Sequence, residues 1–179
     1  MKATGGDVTI VGAYTIHTFL SSDDFIVTEG GKVDYLIVAG GGGGGNDAGG
    51  GGGAGGMLEG SATLSEDTYP VVIGGGGAVN VAGVDSSFNA VTADGGGRGG
   101  FYNKQPPSVG GSGGGGGGSQ PVSGAVGTPG QGNAGGNCGF DWHMGGGGGK
   151  GAAGTSGAVT QAGHGGDGKE SEISGFPVY

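Results

Sequence analysis

Short runs in which apolar and polar residues alternate, rich in β-branched side chains, fill the first half of the chain. They predict strands over Val8 to Val11, Tyr14 to Leu20, Phe25 to Thr28, Val33 to Ala39, Ala62 to Leu64, Tyr69 to Ile73 and Ser87 to Ala93. Turn-forming residues separate them, among them Ser21-Ser22-Asp23 and Glu29-Gly30-Gly31-Lys32. Together they read as a small antiparallel β unit. No segment pairs end caps with an apolar period of 3.6 over a helix's length, so essentially no α-helix is expected.

After residue 93 the apolar pattern fades and glycine takes over. Glycine tracts run over Gly40 to Gly45, Gly49 to Gly56, Gly74 to Gly77, Gly95 to Gly100, Gly110 to Gly118, Gly130 to Gly136, Gly145 to Gly154 and Gly163 to Gly168. Their near-regular spacing in the second half, with short, varied and bulkier segments between them, reads as a repeat of rods and loops. We divide the chain into a mainly β-strand unit over 1–93, with interleaved tracts at 40–56 and 74–77, and rods with loops over 94–179. The two are expected to form one continuous domain.

Composition sharpens this picture. Of 179 residues 57 are glycine, while charged residues make up only 12%. So much glycine leaves too few side chains for an ordinary core, because each ordered glycine surrenders backbone entropy and buries nothing. A packed form of the polyproline-II helix answers this. It is left-handed and threefold, makes no internal bonds, and points its amides and carbonyls outward, so that rods lying side by side can bond to one another if no side chain intervenes. Interior rods must then be glycine on every face, whereas outer rods can carry Ala or Ser on the face turned away. By this logic Gly145 to Gly154 reads as an outer rod. At about 3.1 Å per residue, Gly110 to Gly118 would extend roughly 28 Å. Without a strict G-X-Y period and with only six prolines, the chain is not collagen.

The fold class expected is therefore all-β joined to a bundle of polyglycine-II helices. At this point the motifs resemble a known family. KVDYLIVAGGGGGG from Lys32, GGGGGAGGMLEGSATL from Gly49 and YPVVIGGGG from Tyr69 are similar to the glycine-rich domain of tail fibre and adhesin proteins of tailed bacteriophages and prophages. Further matches are AYTIHTFLSSDDFIVTEGG before them, DSSFNAVTADGGG from Asp85 and GQGNAGGN from Gly130. The resemblance implies a β region continuous with a polyglycine-II bundle, whose variable distal loops touch the host surface. It also implies a virion protein, made in the host cytosol and extracellular after lysis. Its partners would be a host outer-surface receptor, protein or glycan, and other tail fibre subunits, with a homotrimer among the arrangements. The chain departs from the family pattern in stopping at Gly175-Phe176-Pro177-Val178-Tyr179, where members continue into another glycine tract, so a fragment or a missing last rod is expected.

Charge and chemistry narrow the function. The formal net charge of −9 and the single arginine, Arg98, speak against phosphate-contacting nucleic-acid binding. The start lacks an apolar signal core and no stretch of 18 apolar residues follows, so neither classical secretion nor membrane insertion is expected. Tyr35 to Gly45 satisfies the dinucleotide-binding glycine pattern trivially, but Asn46-Asp47-Ala48 and further glycines follow where the helix should begin. A phosphate-binding loop at Lys150 fails at Met144, which should be glycine, and at Gly151, which should be Ser or Thr. Cys138, Asp141 and His143 lack a second pair at zinc spacing, so no metal is expected. One cysteine permits no internal disulfide. His17 reads as a strand residue, His164 as solvent-facing, and Glu170 and Glu172 as part of a solvated segment. No nucleophile, base and orienter can be assembled, so neither enzyme activity nor a cofactor is expected.

The bulky residues between rods remain: Phe101, Tyr102, Asn103 and Lys104 in one segment, and Phe140, Asp141, Trp142 and His143 in another. Aromatic residues with little core to hide in suit receptor-binding loops, and equally suit caps that shield rod ends from water. The leading expectation is a non-enzymatic fibre module presenting loops for host attachment. A purely structural fibre segment, an ice-binding polyproline-II bundle and a glycine-rich receptor ectodomain are the alternatives. The ice-binding reading lacks a regular Thr ladder, and the ectodomain reading lacks a signal and paired cysteines.

Overall fold

A computed structural model describes residues 1–102, 105–118, 120–139, 142–158 and 160–173. The described residues contain no α-helix. Nine strands run in order: β1 (Lys2–Thr4), β2 (Asp7–Val11), β3 (Tyr14–Thr18), β4 (Asp23–Glu29), β5 (Gly31–Val38), β6 (Met57–Leu64), β7 (Asp67–Val72), β8 (Ser86–Phe88) and β9 (Val91–Ala93). They form a five-stranded sheet in the order β1-β4-β7-β8-β9 and two ribbons, β2-β3 and β5-β6, with every strand pair antiparallel.

The expected strands are present with changed limits. The strand expected over Ser87 to Ala93 is a tight hairpin, because Asn89 and Ala90 adopt φ of 47° and 62° and reverse the chain. The one expected at Ala62 begins five residues earlier at Met57, since β5 runs alongside and supplies the ladder despite Gly60. β3 stops at Thr18, short of Leu20, and β1 is an addition. Phe25, Val27, Leu64 and Val71 form the larger core, and Ile37, Ala39 and Ala93 a smaller one. Phe88 links them, its ring lying edge-on or tilted against Phe25, Tyr35 and Tyr69. The β2-β3 ribbon touches the larger core through His17 and leaves Ile10 77% and Tyr14 72% exposed.

From the strands the chain runs out into the bundle and returns repeatedly. Ala39, Gly42 and Gly45 donate their amides to the carbonyls of Gly56, Gly53 and Gly50, three residues apart on both segments. Meeting the same neighbour at every third residue is the signature of the threefold helix. Segment 111–118 is buried throughout and shows the full pattern. Ser112, Gly115 and Gly118 donate to Ala54, Gly51 and Ala48, while Gly113 and Gly116 donate to Asn133 and Gly136. Its carbonyls accept from Gly97 and Gly100 on a third neighbour, from Gly148 and Gly145 on a fourth, and from Ala125 on a fifth, while the Gly114 amide reaches Ser108 on a sixth.

Two expectations need correction here. Gly145 to Gly149 is buried beside this central segment rather than forming an outer rod, and only Lys150 to Ala153 turn at the surface. The varied segments between glycine tracts are also largely rods: 81–85, 105–110 and 122–128 are return paths bonded to 39–45, 94–100 and 111–118. They accommodate Val, Ala and Pro because only every third residue faces inward. Gly124 and Gly127, Gly154 and Gly157, and Gly163 and Gly166 occupy that inner edge, where a Cβ would lie within 1.9–2.7 Å of a neighbouring carbonyl oxygen. Outside the rods' inner edge the space opens, as at Gly75, where an added Cβ meets nothing within 4 Å.

Candidate functional site

The rods lead away from the strands and turn at 46–49, 101–105, 118–122 and 138–143. These turns gather at one end, tied together by bonds from the Gly118 amide to Ala48, from the Cys138 amide to Val122 and from the Cys138 thiol to Gly118. Cys138 is buried, and that burial pushes its thiol pKa up, away from the reactive thiolate. It acts here as a small packed side chain.

Two of these turns carry the aromatic residues and share one design. The first amide closes on the fifth carbonyl, from Phe101 to Gln105 at 3.1 Å and from Gly139 to His143 at 2.8 Å. Each loop leaves and re-enters a rod, so its ends are fixed by backbone bonds. The tips meet: the rings of Tyr102 and Trp142 stack with centroids 6.2 Å apart and planes 2° from parallel. Tyr102 is 46% exposed and Trp142 51%. Trp142 takes φ of 66°, the left-handed region that a bulky residue rarely enters.

The other expected residues fare differently. Phe101 is half-buried with the Arg98 guanidinium 5.2 Å from its ring centre, so it covers the end of its rod rather than standing free. His143 is half-buried and its carbonyl closes the second loop. Asn103, Lys104, Phe140 and Asp141 lie outside the described residues. Arg98 and Gln105 were not legible as parts of this end: nothing local marks Arg98 as the cover of Phe101, or Gln105 as the residue that closes the loop. His17 sits on β3, where Nδ1 bonds to the Gly5 carbonyl at 2.8 Å and the ring packs edge-on to Phe25.

A second cluster lies at the strand end of the bundle. Met57, Leu58, Glu59, Gly130, Lys150 and Lys169 line a shallow cavity of about 180 Å³. Lys169 pairs with Glu59 at 3.2 Å, and Lys150 donates to the Gly130 carbonyl. A hydrogen bond from Ser171, then the one from Lys169, holds the Glu59 carboxyl below its usual range. The charges here are engaged with one another, and they fasten the segment after residue 168 to β6. Among the described residues no three His, Cys, Asp or Glu side chains gather as metal ligands, and no helix is long and apolar enough to cross a membrane.

No curated protein and no solved structure matches the chain. Its residues 20–175, from the end of the β2-β3 ribbon through the last described rod, match the sequence model of the glycine-rich domain, and the chain belongs to that family.

Proposed function

We propose that the chain is a non-enzymatic module of a bacteriophage tail fibre, an adhesin whose end loops attach to the host-cell surface. The observation that carries this reading is the Tyr102–Trp142 pair, two half-exposed aromatic residues from separate loops held side by side on a backbone-bonded support. Large rigid rings on a fixed base are effective anchors, because they offer contact area for little loss of side-chain freedom. The resemblance of its motifs to those of tail fibre and adhesin proteins points the same way, toward a virion protein released by lysis that meets a protein or glycan receptor.

The test is adsorption of fluorescently labelled protein to a panel of bacterial strains. Tyr102→Ala and Trp142→Ala are each expected to weaken adsorption about thirtyfold, with melting temperature unchanged. Adsorption that persists in both variants removes the loops from attachment. Melting temperature falling in step with adsorption assigns the rings to shielding.

A purely structural fibre role is the second reading, and the β2-β3 ribbon favours it. Two strands alone are marginal in water, and Val8 and Ile10, on one face of this ribbon, are exposed, a surface suited to another fibre subunit. Ile10→Asp should then change the sedimenting species without altering adsorption by the loops.

A further inference from the structure

We propose that the Tyr102–Trp142 pair takes an uncharged pyranose ring of a surface glycan. This rests on reading the loops as the attachment end, and it names the ligand chemistry.

Parallel rings cannot approach face to face more closely than carbon contact, about 3.5–4.0 Å. With centroids 6.2 Å apart and planes 2° from parallel, the sideways offset reaches at most about 5 Å, when the rings touch, and the outer face of each ring stays free of the other. The exposures of 46% and 51% agree with this. The result is two aligned ring faces open to solvent. A pyranose chair presents C–H bonds on one face and hydroxyls around its edge, and such a ring lies flat on an aromatic face while its edge stays in water.

The backbone supports a presented platform. Trp142 is held at φ of 66° by the closure of its loop from Gly139 to His143, and left-handed strain of this kind clusters at ligand clamps. Charge selects among flat ligands. A net charge of −9 repels polyanions at long range, so neutral sugars are favoured over phosphate-bearing or acidic polymers.

Trp142 is the sole tryptophan, so its emission reads this site alone. Maltotriose, mannotriose and triacetylchitotriose would be titrated into the full chain alongside trigalacturonic acid, in which every ring is charged. At least one neutral trisaccharide should give a saturable blue shift and protect Trp142 from acrylamide quenching, while trigalacturonic acid gives none. Tyr102→Ala should weaken that binding about tenfold or more, and Tyr102→Phe should leave it nearly unchanged, since the ring face and not the hydroxyl is used. Absence of a shift with all three neutral sugars overturns the proposal, as does a larger shift with trigalacturonic acid. A second arm uses cells that adsorb the protein. Loss of adsorption after periodate oxidation but not after protease supports the glycan. Loss after protease alone overturns it and leaves attachment standing. A neutral-sugar shift without adsorption to any strain supports the sugar site while removing the host-attachment reading.

Discussion

The β unit and the rod bundle use nearly the same extended backbone, since strand and polyproline-II conformations are neighbours in dihedral space. They are held by opposite means. In the β unit, alternate side chains fill a core around Phe25, Val27, Leu64 and Val71, and the ladders set their register. In the bundle the backbones themselves are the interior, and segment 111–118 finds partners on surrounding rods because it presents almost no side chain. Truncation should therefore damage one region and enlargement the other.

The largest test of that contrast is Gly115→Val. A Cβ there would lie 2.2 Å from the Gly145 carbonyl oxygen, and the Gly115 amide and carbonyl are bonded to Gly51 and Gly100. Forcing these rods apart leaves buried peptide groups unpaired at about 1–3 kcal/mol each, so the variant should lose its cooperative melt and its protease resistance. A soluble variant with the parent melting temperature would refute the packed-rod account. Next in size is Phe25→Ala, which removes a ring packed against His17, Phe19 and Phe88 and should destabilise by about 3–5 kcal/mol. Hydrogen exchange sharpens the comparison: amides of β4 should lose more protection than those of Gly113 to Gly116. Equal losses would show that the two regions melt as one unit.

Gly75→Ala should act with the reverse sign to Gly115→Val. The added methyl meets open space, and the substitution restricts the unfolded chain, so a gain of about 0.4–1 kcal/mol is expected in chemical denaturation. Destabilisation there would mean that glycine is needed for more than close approach. The smallest effect concerns Glu59. Its folded pKa lies below its ordinary value of 4.5, so its contribution is present above that value and is lost as pH falls through the folded pKa. The pair with Lys169 is partly exposed and is worth less than about 1 kcal/mol. Glu59→Gln should flatten the acid limb of melting temperature against pH slightly and leave the neutral value nearly unchanged.

What could be read from sequence follows the same division. Strands such as Phe25 to Thr28 were visible because alternation is a local property. Glycine rods were visible because little else suits such tracts. Their positions were not: Gly145 to Gly149 is interior because the chain path places it beside 111–118, a fact that no local pattern contains. The return rods were hidden by their Val, Pro and Ala, although the spacing of Gly124 and Gly127 marks an inner edge. At the end of the bundle, the loops and their aromatic residues could be picked out, but the meeting of Tyr102 with Trp142 depends on how 94–100 and 132–138 flank the central rod.

The threefold repeat also constrains how such a chain can change in length. One residue turns a rod by about 120°, so gaining or losing a single residue within 111–118 would set every later amide opposite the wrong neighbour. Three residues make a full turn and restore the facing partner. Insertions and deletions inside the bundle must therefore come in triplets and be matched by adjoining rods, whereas the tips at 101–105 and 139–143 can vary one residue at a time. A lineage can thus vary the end loops while the lattice that carries them keeps its phase.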